Sequence, residues 1–148
     1  MNISPARIAA FDILRRIEVE RAYSSALLSE YEQTLSVKDR SLCHRLTLGV
    51  LRGQMYFDRQ IDHFAGGKRL DVEVRIALRL GLYQVFELDK IPDHSAVNDS
   101  VSLVQRAKKS SAKGFVNAIL RQALRQPYIA SYEDYIERLS IETSHPRW

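Results

Sequence analysis

The chain has 148 residues, 45% hydrophobic and 27% charged, with a formal net charge of +4, enough for one domain with its own core. No uncharged run exceeds the eight residues from Ala22 to Ser29, which excludes a membrane-spanning helix of about 20 residues. Arg7, Asp12, Arg15 and Arg16 interrupt the N-terminal stretch, and Cys43 has no second cysteine to pair with, so neither an export signal nor an internal disulfide is expected and the cytoplasm is the expected location.

Ser4-Pro5 opens the first helix, a capping serine followed by proline in the first turn. Ala6, Ala10, Ile13, Leu14 and Ile17 share its inner face, with Arg7, Arg15 and Arg16 turned away, and the helix fades near Arg21. A shorter helix is predicted over Ser25 to Gln33, with Leu27, Leu28 and Tyr31 inward. Leu42, Leu46, Val50, Gly53, Phe57, Ile61 and Phe64 then keep a helical rhythm. This is either one helix of about 26 residues, spanning roughly 39 Å, or two helices meeting near Gly53. Gly66-Gly67 ends it.

From Val72 to Leu88 the only polar side chains are Glu73, Arg75, Arg79, Gln84 and Glu87. A helix apolar on two sides is wrapped by neighbours, so this one is predicted to be the central post. Gly81 offers a point of close approach, and Arg75 and Arg79 are expected to pair with acids or line its one polar side. Pro92 stops it. Asp93 or Ser95 is expected to cap the next helix, which carries Ala96, Val97, Ser100, Val101, Val104 and Ala107 inward. Residues 108–114, KKSSAKG, read as a loop. The helix from Gly114 to Gln126 has Val116, Ile119, Leu120 and Ala123 inward and is closed by Pro127. A short helix is predicted from Ser131 to Leu139, then an extended end. No stretch alternates long enough for a strand, so the class is all-α.

The charge is unevenly placed. Between Ser100 and Tyr132 lie Arg106, Lys108, Lys109, Lys113, Arg121 and Arg125, with no acid among them. Such a block suits a polyanion. Catalytic groups do not converge in the sequence. There is no glycine-rich phosphate loop, His44, His63, His94 and His145 lack metal-ligand spacing, and Cys43 sits on the buried stripe with Leu42 and Leu46. No metal site is expected.

VRIALRLGLYQV, IPDHSAVNDSVSLVQ and KGFVNAILR, with ARIAAFDIL and KDRSLCHRLTLGVLR before them, resemble the helical core of the NusB family from roughly Pro5 to Arg125. The resemblance implies a bundle of about seven helices around a central buried helix, covering residues 1–130. Residues 131–148 would form a short helix and a linker, because LSIETSHPRW looks like the lead into the methyltransferase portion of RsmB-type enzymes. It therefore implies an RNA-binding, substrate-positioning N-terminal domain of a small-subunit rRNA 5-methylcytosine methyltransferase, and a chain that is part of a longer protein. Such enzymes carry their S-adenosylmethionine fold and catalytic cysteine pair beyond this region, and Cys43 follows Leu42 rather than the proline usual before a catalytic cysteine. No cofactor and no catalytic residue are expected in this chain. Its expected partners are small-subunit rRNA and a C-terminal methyltransferase domain. Two other readings stay open: a free antitermination factor that binds RNA with a ribosomal protein, and a helical protein–protein module or homodimer.

Lys113, Asn117, Arg121 and Arg125 recur every four residues and make one helical ridge. Lysine and arginine neutralise phosphates and asparagine reads a base edge or sugar. Lys108 and Lys109 add charge beside the ridge. Gly114 stands where free helix-start amides favour an anion. Phe115, which matches the RNA-facing phenylalanine of the family's FVN motif, is either a stacking platform or core. Arg7 matches an N-terminal arginine position of the family, without the denser arginine cluster of the antitermination factor. Asn98 and Asn117 are either buried struts or contacts.

Overall fold

The computed structural model describes residues 3–128. Ser4 is extended, and its hydroxyl accepts the Arg7 N–H at 3.3 Å, so α1 (Pro5–Glu20) starts where capping chemistry places it. It ends at Arg21, a left-handed residue at φ 56°. Helix α2 (Ser24–Glu32) follows with Leu27 and Leu28 buried. Ser36 caps α3 by accepting the Asp39 N–H at 3.2 Å.

Helix α3 (Val37–Ala65) runs 29 residues without a break, about 43 Å, so the two-helix alternative is excluded. Gly49 serves a different purpose: a Cβ there would lie 2.2 Å from the Tyr83 ring. The glycine lets the next helix press its tyrosine onto the α3 backbone. Gly66 and Gly67, at φ 62° and 79°, then turn the chain, and the Gly67 N–H donates to the Asp62 carbonyl at 3.3 Å.

Helix α4 (Val72–Glu87) is the central post. Every residue from Ile76 to Gln84 is buried, and α1, α3, α5 and α6 all pack on it. A Cβ on Gly81 would lie 2.7 Å from both a Leu120 methyl and the Ser100 hydroxyl, so two helices crowd that one point. The Ser100 hydroxyl donates to the Ala77 carbonyl at 2.8 Å, pinning α5 to α4.

Helix α5 (Asp93–Arg106) is not capped by Asp93 or Ser95. The Pro92 carbonyl instead accepts the Ser95 and Ala96 N–H groups at 3.0 and 3.1 Å. The expected loop is also shorter than predicted. A 3₁₀ turn occupies Ser110–Ala112 and runs straight into α6 (Lys113–Arg125), because serine and alanine tolerate the tighter winding. Six α-helices, one 3₁₀ turn and no strand make up the described residues; the class is all-α. The predicted short helix from Ser131 to Leu139 and the extended end lie outside them.

Candidate nucleic-acid interface

Helix α6 buries Val116, Ile119, Leu120 and Ala123 against the bundle. That choice leaves Lys113, Asn117, Arg121 and Arg125 on a row that starts at the edge of the buried stripe and climbs to open solvent. Lys113 and Asn117 are half-buried, Arg121 and Arg125 exposed. The Arg121 Nε donates to the Asn117 Oδ1 at 3.0 Å, which holds the guanidinium along the ridge. Asn117 is thus a surface bracket rather than a buried strut. None of the ion pairs among the described residues uses Lys113, Arg121 or Arg125.

Phe115 is half-buried against the core, and the Lys68 ammonium stands 5.0 Å from its ring centroid. The ring is neither plain core nor a bare platform: one face carries a cation. Lys68, from the turn after α3, thus adds a cation beside Phe115, on a different side of α6 from the row that Lys113 starts. Sequence reasoning missed it because only the folded chain brings it to α6. At the other end Arg125 lines a cleft with His63, Phe64 and Tyr128. The His63 and Tyr128 rings stack with centroids 4.2 Å apart. Gln60, buried, fixes Tyr128 from both sides, donating to its carbonyl and accepting its N–H at 2.9 Å each. Gln60 and the ring stack were missed too, since both depend on α3 lying beside the end of α6.

The remaining expected residues are placed differently. Arg7 is a strut between α1, α4 and α5: its Nε donates to Gln84 Oε1 at 2.8 Å and lies 2.9 Å from Asp99 Oδ2, with the side chain 13% exposed. It is held by partners and stands apart from the ridge. The Lys109 ammonium pairs with Asp71 at 3.2 Å, and Arg106 with Asp12 at 3.4 Å. Lys108 is exposed, at φ 62°. Gly114 is exposed within the first turn of α6, but the Lys113 N–H ahead of it already donates to the Ser110 carbonyl. The 3₁₀ turn thus consumes one of the amides an anion would use. Asn98 is exposed, so its strut role falls to Ser100 two positions on.

Arg75 and Arg79 pair with acids as expected. Arg79 takes both oxygens of Asp58, at 2.8 and 2.9 Å, and Glu18 at 2.7 Å; Arg75 takes Asp58 at 3.3 Å and Asp62 at 2.9 Å. Burial works against the Arg79 charge, yet its carboxylate partners hold its pKa above the ordinary arginine value. Cys43 is fully buried, and burial pushes its thiol pKa up, away from the thiolate a nucleophile needs. Among the described residues no three histidine, cysteine or acidic side chains group as metal ligands. No described helix is long and apolar enough to cross a membrane.

The arrangement is a helical scaffold around a buried post, with a row of cations that enter no ion pair among the described residues and that ends at Arg125 beside the His63–Tyr128 stack. Residues 4–125 match the NusB family, and the chain belongs to it. Among curated relatives, the protein of Bacillus subtilis (strain 168) named "Probable ribosomal RNA small subunit methyltransferase B" is 33% identical over all of this chain and 34% of its own length. The "Ribosomal RNA small subunit methyltransferase B" of Pseudomonas putida (strain KT2440) is 33% identical over 96% of this chain and 33% of its own. The chain thus spans about a third of the relatives it matches, their N-terminal region. Among solved structures, a chain in the "Crystal Structure of a Plectonemic RNA Supercoil" superposes with a TM-score of 0.75 at 27% identity, covering 86% of this chain and 96% of that one.

Proposed function

We propose that this chain is the RNA-binding, substrate-positioning domain of a small-subunit rRNA 5-methylcytosine methyltransferase, working in the cytoplasm where that RNA is made. The observation that carries the reading is the α6 ridge. Three cations, eight and four residues apart on one row that Asn117 completes, are half or fully open to solvent with no described carboxylate paired to them, on a fold shared with relatives named for rRNA methylation. Lys113, Arg121 and Arg125 neutralise phosphates, Asn117 orients Arg121 and offers its amide to a base or sugar, and Phe115 with Lys68 meets an unpaired base. Lys108 adds long-range attraction. Gly114 leaves the backbone uncovered at the start of the ridge. Arg7 and Lys109, held by carboxylates, act on RNA only through the shape they maintain.

Bond-making is assigned to a C-terminal methyltransferase domain, with residues 131–148 leading toward it. The methyl donor of that chemistry, S-adenosylmethionine, does not fit the described residues. The groove beside Tyr83 is rimmed by Arg45 and Arg52, which repel a sulfonium cation, and Cys43 is sealed in the core.

The test is fluorescence anisotropy with a single-stranded fragment of small-subunit rRNA at several salt concentrations. Replacing Lys113, Arg121 and Arg125 by alanine is expected to lower the slope of log K against log salt by about 2, at about 0.7 per released phosphate contact. Circular dichroism should be unchanged, because these side chains hold no other element in place. Binding and slope unaltered by the triple substitution would overturn the ridge.

A further inference from the structure

The ridge leaves unexplained an open groove on the α3–α4 seam, about 17 Å further along the α4 axis than its start at Val72. Arg45 and Arg52 line one side of it, both exposed and two helical turns apart. The floor is α3 at Gly49, beneath the Tyr83 ring, and at Gly53, beside the Phe57 ring. A Cβ on Gly49 would stand 2.2 Å from the Tyr83 ring and 2.7 Å from its hydroxyl oxygen, so the glycine is what lets the tyrosine lie there. Tyr83 is 5% exposed, and its hydroxyl makes no hydrogen bond to a described residue; since the Thr47 hydroxyl is the one sealed, unpaired side-chain oxygen among the described residues, the Tyr83 oxygen opens onto the groove.

The two arginines are equally unspent: neither joins an ion pair among the described residues. Both lie near enough to draw the Tyr83 pKa down, against the burial and the Glu87 charge that push it up. Glu87, the one acid on the rim, faces two guanidinium groups. A donor hydroxyl between two free cations suits an anionic oxygen with several acceptor positions. A phosphodiester meets that description.

We propose that this groove is a second RNA-binding site, in which Arg45 and Arg52 clamp a backbone phosphate of a single strand and the Tyr83 hydroxyl donates to it. The proposal rests on the RNA-binding reading above and extends it: one strand long enough to reach both places is held at the α6 ridge and at the α3–α4 seam. Two sites on one rigid domain raise each other's occupancy only for a strand that spans them.

That length dependence is the test. The full chain is titrated with labelled single-stranded RNA of about 6 nucleotides, the order of one binding site, and of about 20, several times that. Arg45→Ala with Arg52→Ala is expected to weaken the longer RNA at least tenfold and to lower its salt slope by about 1.4, two contacts at about 0.7 each, and to leave the shorter RNA, seated on the ridge, within twofold. Tyr83→Phe keeps the ring that covers Gly49 and so preserves the fold; a threefold or greater loss for the longer RNA supports the proposal, with unfolding midpoints checked in parallel. Unchanged affinity for the longer RNA in both variants, while the ridge variant still loses it, would overturn the groove and leave the ridge standing. If wild type binds neither RNA, the functional reading itself fails. Displacement of the longer RNA by polyglutamate as readily as by unlabelled RNA would show an acidic-peptide site and overturn the proposal.

Discussion

Arg79 is the most deeply committed charge among the described residues, and Asp58 is what makes it tolerable. The Arg79 side chain is 5% exposed and makes three short hydrogen bonds, two to Asp58 and one to Glu18. A guanidinium cannot shed its proton in a protein, so Asp58→Ala leaves the charge buried with half its partners gone. Removing one member of a buried pair costs about 3–5 kcal/mol. Glu18 remains, and its carboxylate is 38% exposed, so some water can follow the charge inward and the low end, about 3 kcal/mol, is expected. Against a total stability of about 5–15 kcal/mol that is a large fraction. Urea unfolding followed by circular dichroism measures it. Asp62→Ala is the control: that carboxylate is 58% exposed and meets only Arg75, a surface pair worth about 0–1 kcal/mol. Replacing both partners, Asp58→Leu with Arg79→Met, should recover most of the loss, since the cost lies in the orphaned charge. Equal losses for Asp58→Ala and Asp62→Ala would refute this account of how α3 and α4 are held together.

Three further outcomes are expected. Gly81→Ala should destabilise by about 2–3 kcal/mol in the same assay: alanine gains about 1 kcal/mol of helix propensity, but its methyl meets Leu120 and the Ser100 hydroxyl at 2.7 Å, and overpacking costs about 1–3 kcal/mol with a similar penalty for the displaced hydrogen bond; a stabilised variant would show that α4 has room there. Glu73 and Asp99 should give stability–pH curves of opposite slope. Burial raises the Glu73 pKa but the Arg15 hydrogen bond at 2.9 Å outweighs it and leaves it lowered, so its contribution is in place above the unfolded value of about 4.3 and is lost as pH falls through the folded value. Burial raises the Asp99 pKa, and Arg7 offsets this only in part because its Nε–H is donated to Gln84; the folded state then holds that proton more tightly, and stability falls as pH rises from about 3.9 through the folded value. Wild type compared with Glu73→Gln and with Asp99→Asn between about pH 3 and 6 measures both, and slopes of the same sign would contradict the assignment. Lys113→Glu should stabilise the chain by about 0.3–1 kcal/mol, because Lys113 sits at the positive end of the α6 dipole, while it weakens RNA binding; loss of stability, or unchanged RNA affinity, would contradict the reading.

Helical elements were legible because their signals are local. The α6 stripe of Val116, Ile119, Leu120 and Ala123 is buried as its spacing requires, and the two apolar sides of α4 are both covered. Errors arose where one position answers to a distant one. Gly53 suggested a meeting of two helices, but α3 runs through it, and Gly49 answers to Tyr83, which arrives from another helix. Asp93 and Ser95 had capping chemistry, yet proline's carbonyl reached the first amides sooner. The window without acids in sequence is not without acids in space: Asp71 reaches Lys109 and Asp12 reaches Arg106. Lys68 joins Phe115 by the same kind of long-range meeting. Sequence therefore located the ridge and misjudged its edges.

Those edges strengthen the case for the ridge. The bundle demonstrably can bring an acid to a surface cation, since it does so for Arg15, Arg16, Arg75, Arg106 and Lys109. It brings none of its described acids to Lys113, Arg121 or Arg125. Folding gains little from that row. Lys113 opposes the helix dipole, and Arg121 and Arg125 are like charges one turn apart, each costing about 0.2–1 kcal/mol. Only Arg125, at the C-terminal turn, suits its position. A small cost carried on one face of a helix whose other face buries Val116, Ile119, Leu120 and Ala123 is what the proposed RNA-binding role predicts.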